Sequence, residues 1–169
     1  NNGIWANIVD TFENAPVLNS DGSQGIAIHI DRGAGSGGGG GSTVPYAEFI
    51  RYDGSTPIAG RTYTNYYDVK SDHFDSDRDG IFRYVVFAWD SGHSSGASGR
   101  AEGIPGIGFF VTLNGGGWGS DGDREDIQTG TFIHELGHAL NLRHGGFEND
   151  NSKDNYNSIM QYGNGWIVW

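Results

Sequence analysis

The chain has 169 residues, room for one domain with a hydrophobic core and too few for two ordinary ones. Acidic residues number 21 against 10 basic, for a formal net charge of -11 and a pI near 4.7, which leaves no continuous cationic surface for phosphates and argues against a nucleic-acid partner. No apolar run approaches the roughly 18 to 20 residues of a membrane span, and the absence of cysteine excludes disulfides and thiolate sites, so a metal would sit on His, Asp, Glu or backbone oxygen.

Ile4, Ile8 and Phe12 recur at helical spacing, so Ile4 to Glu13 is expected to be a short amphipathic helix ended before Pro16. Gly25 to Asp31 (GIAIHID) reads as a buried strand carrying His29. The tract Gly33 to Ser42 cannot pack a core and reads as a surface loop. Tyr63 to Phe74 has weak helical character. Phe82 to Trp89 (FRYVVFAW) is the clearest strand, and Gly108 to Leu113 (GFFVTL) is another, reached through the Gly/Ser-rich stretch Ser91 to Gly103. Ile127, Phe132, Ile133, Leu136 and Leu140 then repeat near 3.6, which predicts a helix over Ile127 to Leu142. The tail, Gly145 to Trp169, is turn-rich. Three strands and two helices predict a single α+β domain, a small mixed sheet covered by helices, with 1–144 as an upper part and 145–169 as a lower one.

Chemistry concentrates in HELGHALNLRH, His134 to His144. His134 and His138 are four apart and share one helix face, where they can bind one Zn²⁺ from the same side. Glu135 is turned about 100° from that face, where it can serve as a general base without ligating the metal. His144 would be about 240° from the ligand face on a continuous helix, so the helix must break. Asn141 is the expected break, because asparagine is the commonest substitute for glycine in the left-handed conformation that ends helices. Three imidazoles with a fourth position open to water describe a catalytic zinc rather than a structural one.

HExxHxxxxxH, followed 16 residues after His144 by Met160 in SIMQY, resembles the metzincin clan of zinc endopeptidases. Asn141 stands where the clan's pattern HExxHxxGxxH has glycine. The resemblance implies a zincin-like fold and hydrolysis of polypeptide substrates by a zinc-bound water, with Glu135 as base and then acid. It implies a Met-turn that places Met160 beneath the imidazoles, and a catalytic role for Tyr162, whose phenol would reach toward the zinc. It also implies that Gly108, Phe109, Phe110, Val111 and Thr112 form an edge strand pairing with substrate, and that residues Tyr162 to Trp166 wall the pocket beyond the scissile bond. The clan's first strand precedes its first helix, whereas this chain begins almost at that helix, so the sheet is expected to be one strand short or to lack an N-terminal segment. A secreted, extracellular, monomeric protease is expected. The opening Asn1-Asn2-Gly3 has no leader character, so a signal peptide would already have been removed.

Asp75, Asp77 and Asp79 spell DxDxDG, the first half of an EF-hand-like loop, but position 12 is Val86 in place of the bidentate glutamate. A looser Ca²⁺ site and a solvated acidic turn are both open readings. Asp121, Asp123, Glu125 and Asp126 fit the N-terminus of the zinc helix. His29, His73 and His93 read as hydrogen-bonded or solvated imidazoles. The alternative function is a calcium-dependent binding or adhesion module with a non-catalytic metal site.

Overall fold

A computed structural model describes residues 2–32, 44, 47–52, 63–91, 97–113, 124–151 and 153–162. It has a small mixed α+β fold whose described residues form three helices and two small sheets. The expected first helix is present as α1 (Asn2–Glu13), with Ile4 and Ile8 buried. Helix α3 (Arg124–Ala139) packs against α1 through Phe132, Leu136 and Ala139. Glu125 and Asp126 lie in its first turn, where carboxylates favour the helix dipole. Asp121 and Asp123 lie outside the described residues.

Strands β3 (Tyr84–Ala88), β4 (Gly99–Ala101) and β5 (Gly108–Thr112) form a sheet ordered β3-β5-β4, parallel on the β3 side and antiparallel on the β4 side. Every residue of β5 is buried. Its side chains alternate as a pleated strand requires: Phe109 and Val111 enter the core with α1 and α3, while Phe110 enters a second cluster with Ile50, Tyr66, Val69 and Val86. Each fully buried aliphatic or aromatic side chain contributes about 1.5–3 kcal/mol. A strand covered on both faces and paired on both edges cannot be the expected substrate-binding edge. Gly108, Phe109, Phe110, Val111 and Thr112 therefore do not offer free backbone groups to a peptide; among the described residues β4 is the outer strand on that side.

Two other expectations change. Gly25 to Asp31 forms no strand and joins no ladder. Its start is tied instead to the end of α1 and the segment after it, with the N–H of Ile26 donating to Phe12 O at 2.8 Å and that of Gly25 to Val17 O at 2.9 Å. Ile28 and Ile30 still pack on the core while His29 is exposed, so the alternation holds without strand pairing. Tyr63 to Phe74 divides into β2 (Tyr63–Asn65) and α2 (Tyr66–His73), where the Asn65 side chain caps the helix by accepting from the N–H groups of Tyr67 and Asp68. Strand β2 pairs in parallel with β1 (Phe49–Arg51), an element the sequence does not announce.

The glycine tract Gly33 to Ser42 and His93 lie outside the described residues. Residues 145–162 carry turns and no helix or strand within what is described, as expected of the tail. No helix among the described residues is long and apolar enough to cross a membrane.

Candidate metal centre

Helix α3 ends just before the chain must turn His144 back toward His134 and His138. Asn141 has φ 76°, the left-handed conformation, and the N–H of Leu142 donates to Gly137 O at 2.8 Å while that of Asn141 donates to His138 O at 2.9 Å. These two bonds form a Schellman motif, with Asn141 as the left-handed residue just past the helix end. The chain then turns back through Arg143 and Gly146, which form an isolated bridge, and His144 returns toward the helix.

The three imidazoles converge. Ring centroids are 4.6 Å apart for His134 and His138, 4.9 Å for His138 and His144, and 5.5 Å for His134 and His144. One nitrogen from each lies within 4.8 Å of the other two, a group that could hold a metal ion.

Backbone carbonyls set two of the tautomers. His134 Nδ1 is 2.8 Å from Ile159 O and His138 Nδ1 is 2.8 Å from Leu142 O. A ring nitrogen facing a carbonyl must carry the hydrogen, which leaves each Nε2 lone pair free for a cation. His144 Nε2 is buried with no hydrogen-bond partner, and an unpartnered ring nitrogen beside two oriented imidazoles suits a third donor to a cation. Burial lowers the His134 pKa to about 4 and holds His138 and His144 below the ordinary imidazole value. The set is therefore neutral at physiological pH, the form that ligates metals.

Met160 is buried, with its thioether against Gly137. It supplies an apolar support under the ligand helix, while its neighbour Ile159 supplies the carbonyl that orients His134. Tyr162 is 62% exposed, yet its ring centroid lies 4.1 Å from that of His144 and stacks at 14° over His134, 5.7 Å away. Its N–H donates to Asn151 Oδ1 at 2.8 Å.

Glu135 is 6% exposed. Burial raises its pKa to about 8, against the opposing pull of the Ala101 N–H and the Arg100 guanidinium. A carboxyl poised near neutrality can take and return a proton at working pH. Strand β4 reaches this carboxyl because residue 99 is glycine: a β-carbon there would lie 2.9 Å from Glu135 Cγ and 2.7 Å from Thr131 Cγ2. Arg100, Ala101 and the supporting Asn151 carry no motif, so pattern reading passes over them. Only a short break in the Gly/Ser-rich stretch marks β4.

Asp75, Asp77 and Asp79 are exposed and do not converge; the His cluster is the one group of three or more potential ligands brought together among the described residues. Asp75 spends its carboxylate capping the 3-10 turn Ser76–Arg78, accepting from the Asp77 N–H at 3.0 Å. These three residues form the acidic turn that precedes β3. Residues 163–166 of the expected pocket wall lie outside the described residues. The chain matches no protein family, no curated protein sequence and no solved structure.

Proposed function

We propose that the protein is a zinc-dependent endopeptidase of metzincin-like type, secreted and acting on polypeptides. The observation that carries this reading is a buried carboxyl, Glu135, against strand β4 and on the same helix as two of three converging imidazoles. His134, His138 and His144 would hold the cation, which supplies Lewis-acid polarisation of a peptide carbonyl and acidification of a water.

The remaining work falls to the chain's own groups. Glu135 accepts a proton from the attacking water and delivers it to the leaving amine nitrogen. Ala101, whose N–H points away from β5 and onto Glu135, aims that carboxyl. The outer edge of β4 gives an extended substrate backbone groups to pair with, so affinity comes from main chain and specificity from neighbouring side chains. Tyr162, over the imidazoles, is placed to donate its phenol hydrogen to oxygen charge that develops on the substrate.

Incubation with an unstructured protein substrate, with and without a chelator and with zinc restored, tests this proposal. Chelator-sensitive cleavage that returns with zinc is expected. A protein that takes up one zinc per chain and cleaves nothing would overturn it in favour of a binding module.

A further inference from the structure

Among the described residues four polar side-chain atoms are buried without a hydrogen-bond partner: Arg78 Nε, Arg83 Nε, Thr112 Oγ1 and His144 Nε2. The last belongs to the metal centre. Arg78 and Arg83 both line a cavity of about 610 Å³ that runs along β3, between that strand and residues 28–31. None of the three histidines of the metal centre lines it.

The cavity's walls are aromatic, with Trp5, Phe74, Phe82, Phe87, Phe109 and Phe132 among them. Its size falls within the range of small-ligand sites, which combine apolar walls with a few polar groups that fix orientation. Here those groups are donors. Arg78 is held in place by Asp31, with Nη2 to Oδ2 at 2.7 Å, and by Phe82, whose ring centroid is 4.2 Å below the guanidinium carbon. That leaves its Nε–H unpaired. Arg83 has a single long bond, Nη1 to Phe82 O at 3.5 Å, and no carboxylate within ion-pair distance among the described residues. Both Nε atoms are closed off from the cavity, so the Nη groups are what an acceptor can meet, and arginine is the residue best suited to receive a carboxylate.

We propose that this cavity binds a small carboxylic acid with an apolar body, its carboxylate accepting from the Arg83 and Arg78 side chains and its hydrocarbon lying on the aromatic walls. The charge balance selects a monoanion. Asp31 offsets Arg78, and the exposed Asp75 is turned onto its own 3-10 turn, which leaves Arg83 as the one uncompensated charge among the described residues that line the cavity. A phosphate-sized dianion would have too little positive charge, and a bare hydrocarbon would leave the Arg83 charge without a counterion.

Calorimetric titration of the full chain with octanoate, 1-octanol and acetate tests the proposal. Octanoate should bind at one equivalent and at least tenfold more tightly than 1-octanol or acetate. Arg83→Gln should weaken octanoate at least tenfold and leave 1-octanol unchanged, with zinc uptake and thermal unfolding as in the parent. Ile28→Trp, which fills the cavity from its other wall, should abolish binding of both eight-carbon probes. Octanoate that binds no better than 1-octanol, binds several equivalents per chain, or binds equally to the Arg83 variant would overturn it. A peptide with a C-terminal phenylalanine that outcompetes octanoate would replace the small acid with a chain terminus.

Discussion

The thioether of Met160 rests on the bare backbone of Gly137, the residue that immediately precedes His138 of the three-histidine cluster. A β-carbon on Gly137 would collide with the sulfur and lie 3.1 Å from Met160 Cε. Alanine is the better helix former by about 1 kcal/mol, so helix propensity alone favours Gly137→Ala. Overpacking a filled site typically costs about 1–3 kcal/mol, and displacing Met160 also shifts Ile159, whose carbonyl orients His134. The variant should lose both thermal stability and zinc affinity. A melting temperature equal to or above the parent's would show that Met160 moves aside freely.

Glu135→Gln keeps the shape of the side chain and removes the base. Zinc uptake should persist while turnover falls about 10²–10⁴-fold, the usual range for loss of a general acid–base group. The measurement is metal content and kcat on one preparation. Cleavage near the parent rate would remove Glu135 from the reaction.

Asn141 occupies a conformation that costs most residues about 1–2 kcal/mol and glycine nothing. Asn141→Gly should melt at or slightly above the parent temperature, whereas Asn141→Val should lose more than ~1 kcal/mol and release zinc more readily, because His144 lies three residues downstream. The two unfolding curves and a competitive zinc titration decide it.

Tyr162→Phe retains the ring that stacks on His134 and lies tilted against His144, and removes the hydroxyl. If that hydroxyl donates to developing negative charge, turnover should fall by an amount equivalent to about 2.7–4 kcal/mol, with little change in KM or zinc content. Unchanged turnover would leave Tyr162 a covering ring only.

Burial raises the Tyr66 phenol well above its ordinary pKa of 10.0, and its hydroxyl donates to Tyr84 O at 3.2 Å. The unfolded chain therefore loses this proton first as pH rises. The stabilisation is full below pH 10 and is lost progressively above it. Burial also raises Tyr52 and Tyr84, so all three contribute to alkaline unfolding. Tyr66→Phe should unfold with a shallower dependence on pH between 9 and 11 in denaturant titrations; an unchanged slope would assign the effect to the other two.

The parts of the molecule that were legible in the sequence are those governed by short-range rules. Asn141 could be read as a helix stop because αL conformers have few occupants, and His134, Glu135 and His138 because helical spacing fixes their relative directions. The place of β5 was not legible. Its apolar run GFFVTL announces burial, but whether a buried strand is central or outer depends on partners far away in the chain, and its antiparallel partner β4 contains only Gly99, Arg100 and Ala101. Gly25 to Asp31 has strand-like alternation, yet its start bonds to the end of α1, a tertiary choice that local pattern does not encode.

The bond from His138 Nδ1 to Leu142 O joins two events usually considered apart, the closing of a helix and the capture of a cation. Leu142 delivers its N–H to the helix and its carbonyl to the ligand, so fraying of the last turn and loss of the ligand's aim are one local opening. Whatever binds the imidazoles tightens that turn by the same free energy with which the turn favours binding. The amide of Leu142 thus becomes a reporter: its hydrogen exchange should slow on metal uptake by more than that of amides in α1, although no atom of Leu142 belongs to the ligand set.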